Sequence, residues 1–577
     1  MDCTFCGPLP ARQDRPHTFF AHERIACPSC ADDIEGRVVL REGAVYNLVR
    51  CPRCGPGEVK IADDADAYRR GFQARGQVPA GHDGDWLFKH TTSTCPSCMS
   101  LVAADVVIRA GQVVFCKRCD RCGPSEALVS EDAAYYVRAY DFARAGTEPL
   151  AFGQEAAAGC PTDCGTCSDH EQHTCLPIVE ITDHCNLECP ICIVDNQYST
   201  HMSQADFARV IDSLIEKEGQ CESVALSGGE PTSHPALLDL IREADRPEIG
   251  RVVVITNGLR LGRDREFAAA IKESGAYVAL QLDGFDAATH ERIRGRDLTQ
   301  EKADALAALR ELEIPTQLIF VAVRGVNDHQ IGQAVELLLS EDHILSLNFQ
   351  PMAYTGHGGG TYEVDPMERL TIPGVIAAIA EQSAGKLRKS DFAPLPCSHP
   401  QCVSLTYLLR LEDGTYVPFP RFVDLERHGS LLRSSATLPA SPEMHDILHE
   451  VIHDVFADED EIEHGSAILA SLRRALDEMF PTDRPIDNKE ALRIGEGQAK
   501  SIFLHHYMDP HDFDLERLRK CCHHYAQVDG RLMPGCGFNL FHRGAAKGPG
   551  TAVPAWGTNA PVGAGTASAK LLPVLRE

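Results

Sequence analysis

Cys185, Cys189 and Cys192 stand at C-x-x-x-C-x-x-C spacing in the stretch I-T-D-H-C-N-L-E-C-P-I-C-I-V-D-N, which begins at Ile181 and follows an apolar, strand-like run at 177–182. Three thiolates so placed can hold three irons of a cubane [4Fe–4S] cluster and leave the fourth iron open to a small molecule. An open metal position is where chemistry happens, whereas a fully ligated cluster mostly moves electrons. Short cysteine spacings also build zinc knuckles, so the loop has to be read in its context. From Pro177 onward, β-branched runs (178–182, 223–227, 252–256, 277–283, 317–323, 346–351) alternate with helical stretches (204–216, 235–243, 265–274, 301–313, 330–340). Six strands with helices between them predict parallel βα units and an open, partial barrel. Ligand chemistry in such sheets gathers at the carboxyl ends of the strands, and the cysteine loop leaves the end of the first.

Other small and polar residues fall at the same ends. Gly228-Gly229-Glu230-Pro231 follows the second strand and Thr256-Asn257-Gly258 the third. Gln281 and Asp283 close the fourth, and Val323, Gly325 and Val326 follow the fifth. Glycines let backbone approach a ligand, and a carboxylate complements an ammonium; ordinary turn chemistry and packing are the alternatives at each position. Together with the cysteine loop, this set resembles the radical S-adenosylmethionine (SAM) superfamily. The resemblance implies that the open iron binds the amino and carboxylate groups of SAM and that one electron cleaves SAM to a 5′-deoxyadenosyl radical. It implies that Gly228, Gly229, Glu230 and Pro231 bind the SAM amino group, that Asn257 touches ribose or carboxylate, and that Gln281 and Asp283 touch SAM or substrate. It implies, too, that Val323 and Gly325 hold adenine. The superfamily usually has an aromatic residue before its third cluster cysteine; here Ile191 stands there.

At 577 residues the chain is too long for one ordinary core. Its net charge of −28 argues against sequence-independent nucleic-acid binding and allows at most peripheral membrane contact. No run of about 18 apolar residues is present, and the first residues, M-D-C-T-F-C-G-P, lack a secretory pattern. A cytoplasmic, reducing setting is expected. The 24 cysteines then read as metal ligands rather than disulfides.

Many of those cysteines lie in an internal repeat. Cys27, Cys30, Cys51 and Cys54 recur as Cys95, Cys98, Cys119 and Cys122, each displaced by 68 positions. Each copy reads as a two-stranded ribbon joining two C-x-x-C knuckles, a closed tetrahedral site for zinc or one rubredoxin-like iron. Cys3 and Cys6 look like half of a third knuckle, and Cys116 is surplus. Cys160, Cys164, Cys167 and Cys175 are threaded with Pro, Gly and Asp and predict a loop round an auxiliary [4Fe–4S] cluster or a zinc ion. Near the end, Cys397, Cys402, Cys536 and one of Cys521 or Cys522, with Cys522 preferred, predict a second. The expected organisation is a first knuckle repeat (1–90), a second (91–145), an auxiliary loop (146–176), the barrel (177–385), a C-terminal auxiliary-cluster domain (386–543) and a disordered Gly/Ala/Pro-rich tail (544–577). The fold class is α/β, a partial (β/α)6 barrel between knuckle repeats and a cluster domain.

The paired knuckles, C-N-L-E-C-P-I-C and the P-C-S-H-P-x-C segment ending at Cys402 resemble radical SAM proteins related to tetraether lipid synthase, some of which are described as pterin methyltransferases. That resemblance implies carbon–carbon coupling between lipid alkyl chains, with SAM, a small-molecule or lipid substrate, and a low-potential donor such as ferredoxin or flavodoxin as partners. The alternative is methylation or other modification of a pterin-like molecule or a peptide. An apolar tunnel would favour the first and a compact polar pocket the second.

Overall fold

The computed structural model describes residues 12–156, 159–194, 199–360, 362–363, 365–432, 441–481, 484 and 488–543. Cys3, Cys6 and the tail expected from Gly544 lie outside them.

Each knuckle repeat is a four-stranded antiparallel sheet whose two middle strands are the ribbon expected between its knuckles. The first comprises β1 (Thr18–Ala26), β2 (Asp33–Arg41), β3 (Ala44–Cys51) and β4 (Gly55–Ala62); the second comprises β5 (Trp86–Thr94), β6 (Leu101–Arg109), β7 (Gln112–Cys119) and β8 (Gly123–Ser130). The outer strands escape a period-2 reading because β4 (GPGEVKIA) buries none of its residues fully. It pairs because the second knuckle reverses the chain at Gly55, whose φ of 82° suits only glycine without strain. Asp64 and Asp132 cap the helices Ala65–Arg75 and Ala133–Ala139 by accepting from Ala67 N and Tyr135 N. Phe20, Phe72, Phe88, Phe115, Tyr136 and Tyr140 fill one shared core.

The barrel strands are β9 (Leu176–Thr182), β10 (Val224–Gly228), β11 (Val252–Thr256), β12 (Tyr277–Gln281), β13 (Thr316–Ala322) and β14 (Ile344–Pro351), parallel and side by side in chain order. Helices cover the outside. In Gln204–Glu218, capped by Ser203, the helical spacing of Phe207, Val210, Ile211 and Leu214 sends one face into the core.

The C-terminal segment does not stand apart from this sheet. After β15 (Ala393–Pro394), β16 (Val403–Arg410) and β17 (Tyr416–Pro418), β18 (Ala499–His505) pairs parallel with β14 and carries β16 on its far side. β19 (His523–Ala526) pairs parallel with β9 and leads to β20 (Leu532–Pro534). Both open edges of the half-barrel are thereby paired, which removes two rows of unsatisfied backbone groups. The helices Pro442–Ala457 and Gly465–Met479 form a hairpin over Leu409, Leu411 and Val417, and Asn488–Gln498 follows them into β18. Among the described residues, no helix is long and apolar enough to cross a membrane.

Candidate functional site

The cysteine loop leaves β9 at the carboxyl edge of the sheet. Cys189 is buried and Cys185 and Cys192 are half-buried, all packed with Leu187, Leu259 and Leu298. Burial, with Cys189 close by, pushes the Cys192 thiol up to about 11. A buried cation answers this group: Arg294 Nη1 donates to Cys189 Sγ at 3.6 Å while Nε donates to Asp283 Oδ2 at 2.7 Å. Asp283 sits in the left-handed region at φ 64°, held by Val321 N to Oδ1 (2.8 Å) and Asn327 Nδ2 to its carbonyl (2.7 Å). A second buried cation, Lys302, donates to Asn257 O at 2.7 Å and to Gln281 O, and burial lowers it to about 8. Two buried cations, only one of them paired with a carboxylate, suit an anionic centre between them. The donor set, three thiols on one side and Arg294 behind, fits a cubane cluster with one open iron.

The G-G-E-P segment does structural work that the sequence did not disclose. A Cβ on Gly228 would meet Thr182 O at 2.0 Å, and one on Gly229 would meet His184 O at 2.2 Å. These glycines let β10 close against the start of the cysteine loop, where Gly229 N donates to Thr182 O (2.8 Å) and Glu230 N to His184 O (2.7 Å). The Glu230 carboxylate is buried and accepts from Thr232 N (3.0 Å), Thr232 Oγ1 (2.7 Å), Thr256 Oγ1 (2.7 Å) and Asn257 N (2.8 Å). It pins the second strand end to the third, and Pro231 opens the turn that follows. Asn257 Nδ2 donates to Asn186 Oδ1 at 2.7 Å, tying the third strand end to the cysteine loop. Ile191 packs with Val323, Met352 and Tyr354, and Gly325 turns the chain beside them at φ 68°.

Sequence reasoning missed Arg294, Lys302 and the glycines at 356–360. A Cβ on Gly358 would lie 2.4 Å from Cys189 O, and Gly358 N donates to Cys192 O at 2.8 Å. The run G-H-G-G-G was the available signal.

The remaining thiols are grouped differently from the expectation. Cys175 leaves its loop companions and joins Cys397 and Cys522, all three buried, with their sulfurs within 4.8 Å of one another. Strand pairing is the reason: Cys175 precedes β9 and Cys522 precedes β19, and Cys175 N donates to Cys522 O at 2.9 Å. Burial opposes ionisation of Cys175, yet hydrogen bonds from Cys397 and Cys522 and the charge of His173 hold its thiol well below the usual value. Cys164 instead lies beside Gly537, and Cys160 packs in the cluster that contains Cys536. Cys402 Sγ accepts from Arg517 Nε at 3.3 Å, and burial raises Cys167. Both expected four-cysteine sets, 160/164/167/175 and 397/402/522/536, are thus divided. The knuckles close as expected, with Cys27, Cys30, Cys51 and Cys54 within 4.8 Å, and likewise Cys95, Cys98, Cys119 and Cys122. Four sulfurs at a tip fit a closed structural metal site.

A cavity of about 390 Å³ occupies the barrel interior and the space beneath it. Ile178, Ala225, Val253, Ile255 and Ile319 line its barrel section, and Cys175, Cys402, Cys521, Cys522 and Cys536 lie along its wall.

Residues 179–338 match the radical SAM superfamily model and residues 87–131 the HMPTM N-terminal zinc ribbon domain. The chain is 28% identical over 499 residues to a 7,8-dihydro-6-hydroxymethylpterin dimethyltransferase of Methanocaldococcus jannaschii, covering 79% of this chain and 94% of that one. It is 28% identical over 193 residues to a GTP 3′,8-cyclase of Petrotoga mobilis, covering 32% of this chain and 59% of the relative. Among solved structures, Streptococcus suis SuiB bound to its precursor peptide SuiA aligns over 34% of this chain and 44% of that one, at 16% identity and a TM-score of 0.30. A radical SAM methyltransferase from Sphaerobacter thermophilus aligns over 48% of this chain and 71% of that one, at 13% identity and a TM-score of 0.27. With its cysteine loop at the carboxyl edge of a parallel half-barrel, the chain carries a radical SAM domain and is a radical SAM enzyme.

Proposed function

We propose that this enzyme removes one hydrogen atom from an unactivated C–H bond of each of two long alkyl chains, using one SAM and one donated electron for each, and couples the chains through a new carbon–carbon bond. The observation that carries the reading is the apolar cavity inside the barrel. A closed βα barrel is ordinarily filled by layers of side chains; here Ser223, Ala225 and Ser346 are among the walls, too short to fill it. A volume of about 390 Å³ lies in the range of ligand sites.

Cys185, Cys189 and Cys192 are the residues that would hold the [4Fe–4S] cluster, with Gly228, Gly229, Glu230, Pro231, Asn257, Gln281, Asp283, Val323 and Gly325 round SAM. With cluster and SAM bound, the site supplies a carbon radical strong enough to take hydrogen from a saturated chain. The protein's own part is placement and exclusion of water. Arg294 offsets the negative charge of the thiolates, and Ile191, Val323 and Tyr354 give adenine an aliphatic and phenolic wall in place of the usual aromatic stack. Glu230, through Thr256 and Asn257, keeps the second and third strand ends in register. Cys175, Cys397 and Cys522 are assigned to one auxiliary cluster, and Cys160, Cys164 and Cys167 with Cys536 to another. The knuckles are assigned zinc or one iron each. A ferredoxin or flavodoxin in the cytoplasm would supply electrons.

The second reading, methylation of a pterin, is favoured by the name of the Methanocaldococcus relative. One experiment separates the two: anaerobically reconstituted enzyme, dithionite and SAM, with alkyl lipid deuterated at the chain end or with a deuterated dihydropterin. Deuterium in 5′-deoxyadenosine from the lipid is expected. Label transfer only from the pterin overturns the alkyl reading.

A further inference from the structure

The loop that follows the last barrel strand is held from outside the barrel. Met352 and Tyr354, which pack with Ile191 and Val323, stand directly after β14. A few residues on, Gly358 N and Gly359 N donate to Cys192 O at 2.8 and 3.2 Å. One loop therefore carries part of the adenine wall and also the backbone that braces the cysteine loop. Its anchor is a carboxylate from a distant stretch of chain: Tyr354 N donates to Asp509 Oδ2 at 3.0 Å. Asp509 lies between β18 and the short helix Leu515–Arg519, in the C-terminal segment that carries auxiliary thiols.

The same carboxylate holds the far side of the loop. Arg369, just ahead of the helix Ile372–Gln382, donates from Nη2 to Asp509 Oδ2 at 2.7 Å and from Nη1 to Oδ1 at 3.3 Å. Its guanidinium lies 5.3 Å from the centre of the Tyr354 ring, within the range of a cation–π contact. His511 N donates to Asp509 Oδ1 at 2.8 Å, so each oxygen of Asp509 accepts twice. The Arg369 and Asp509 side chains are 1% and 0% exposed. A pair so deep in the protein is a weak source of stability, because desolvation offsets most of its attraction. Apolar side chains of equal volume would fill the space at least as well. They would not give Tyr354 a backbone acceptor and a cation at its ring, two directional contacts that fix the loop.

Resting on the reading of Ile191, Val323 and Tyr354 as the adenine wall, we infer that Asp509 and Arg369 are positioning residues of the SAM site. Asp509 reaches in from the C-terminal segment and, with Arg369, sets Met352 and Tyr354 against the adenine end of SAM. The methionine end is assigned to the open iron and the G-G-E-P segment, so the two ends should respond separately.

Titration calorimetry on the anaerobically reconstituted holoenzyme, with SAM, 5′-deoxyadenosine and L-methionine as ligands, makes the test. Arg369→Met should weaken SAM and 5′-deoxyadenosine about tenfold each, the size of one lost hydrogen bond. L-Methionine should bind as tightly as it does to the wild type. Arg369→Lys, which keeps the charge without the planar fork, should fall between. Equal weakening of all three ligands would mark a general loosening of the fold and overturn the assignment. So would unchanged affinity for 5′-deoxyadenosine in Arg369→Met while Tyr354→Ala loses it; that result spares the adenine wall. If Tyr354→Ala also binds 5′-deoxyadenosine normally, the wall and the assignment fall together. Thermal melting shows whether the variants fold. Should Arg369→Met fail to fold, Arg369→Lys carries the comparison, and failure of both makes the pair a stability element and overturns its role in the site.

Discussion

The two knuckle repeats are copies in everything local and opposites in what they hold. Strand limits, the β1/β2 and β5/β6 bulges, helix caps and the ion pairs Arg41–Glu58 and Arg109–Glu126 all recur at a spacing of 68. Arg50 recurs as Arg118, but the other docking side chains, Arg37, His17, Thr91 and Lys117, do not. The first repeat grips the 160–175 loop: Arg50 Nε donates to Asp169 Oδ2 (2.7 Å), Arg37 Nη1 to Glu171 Oε1 (2.7 Å), and His17 pairs with Glu171 (2.9 Å). The second grips the C-terminal segment: Thr91 Oγ1 donates to Asp514 Oδ1 (2.6 Å), and Lys117 Nζ, which also holds the Thr94 carbonyl of its own repeat (3.0 Å), donates to the carbonyls of Pro510 (3.3 Å) and His511 (2.7 Å). Between them, buried Glu516 takes Lys89 Nζ (2.7 Å) from the second repeat and His22 N (2.6 Å) from the first. Duplication supplied two identical folds, and divergence of a few side chains turned them into clamps on the two segments that carry the auxiliary thiols.

The largest expected effect tests whether the knuckles are scaffolds while the barrel loop does chemistry. Cys189→Ala should abolish SAM cleavage, whereas Cys30→Ala and Cys98→Ala should retain most of it and lower thermal stability about equally. 5′-Deoxyadenosine formation under dithionite measures the first, and calorimetry the second. Loss of cleavage in Cys30→Ala would mean that the first knuckle is part of the electron path. Arg294→Leu should fall between, reducing cleavage by about 10–100-fold, as removal of groups that support metal ligands commonly does.

Next in size is the loss of the shared carboxylate. Glu516→Ala leaves Lys89 buried without its counter-ion and should cost about 3–5 kcal/mol, with both repeats becoming sensitive to protease. Release of only one repeat would show that the clamps act independently. Arg37→Met should cost less overall, since Glu171 keeps His17, but should act on one side only. Iron bound through the 160–175 loop should fall, while the second repeat stays docked. Iron analysis of the variant, compared with Lys117→Met, decides whether the clamps are as unlike as their contacts imply.

How much of this the sequence disclosed follows from the same contrast. The knuckles, their period and the βα rhythm from Pro177 depend on neighbours in the chain, so spacing alone displays them. The grouping of Cys175 with Cys397 and Cys522 depends on β19 pairing with β9, an alignment between segments some 350 residues apart that no local pattern encodes. Arg294 and Lys302 sit in the helical stretches Ala287–Arg294 and Thr299–Glu311, where a charged residue reads as a solvated face. Only the fold shows that these two point inward. The glycines at 356–360 read as a loop because the backbone they approach, at Cys189 and Cys192, lies far back in the chain. Glu230 was found for its charge, and the structure spends that charge on Thr232, Thr256 and Asn257.

The smallest expected effect is also the most direct reading of the difference between the repeats. Lys117 occupies the position that Val49 holds in the first copy. Burial pulls its amine down to about 8, against about 10.4 in an unfolded chain. Below the lower value the residue is charged in both states, and the folded state carries the whole cost of burying that charge. Between the two values the unfolded chain binds more protons, so stability rises with pH. From pH 8 to 9 the gain should approach roughly 1 kcal/mol. A neutral amine still donates two hydrogen bonds to the three carbonyls it faces, so docking survives deprotonation. Urea midpoints of wild type and Lys117→Met across that interval provide the measurement. The variant, valine-like at this position as the first repeat is, should lack the rise, and parallel midpoints in the two proteins would mean that the lysine is no more costly to bury than the valine it replaced.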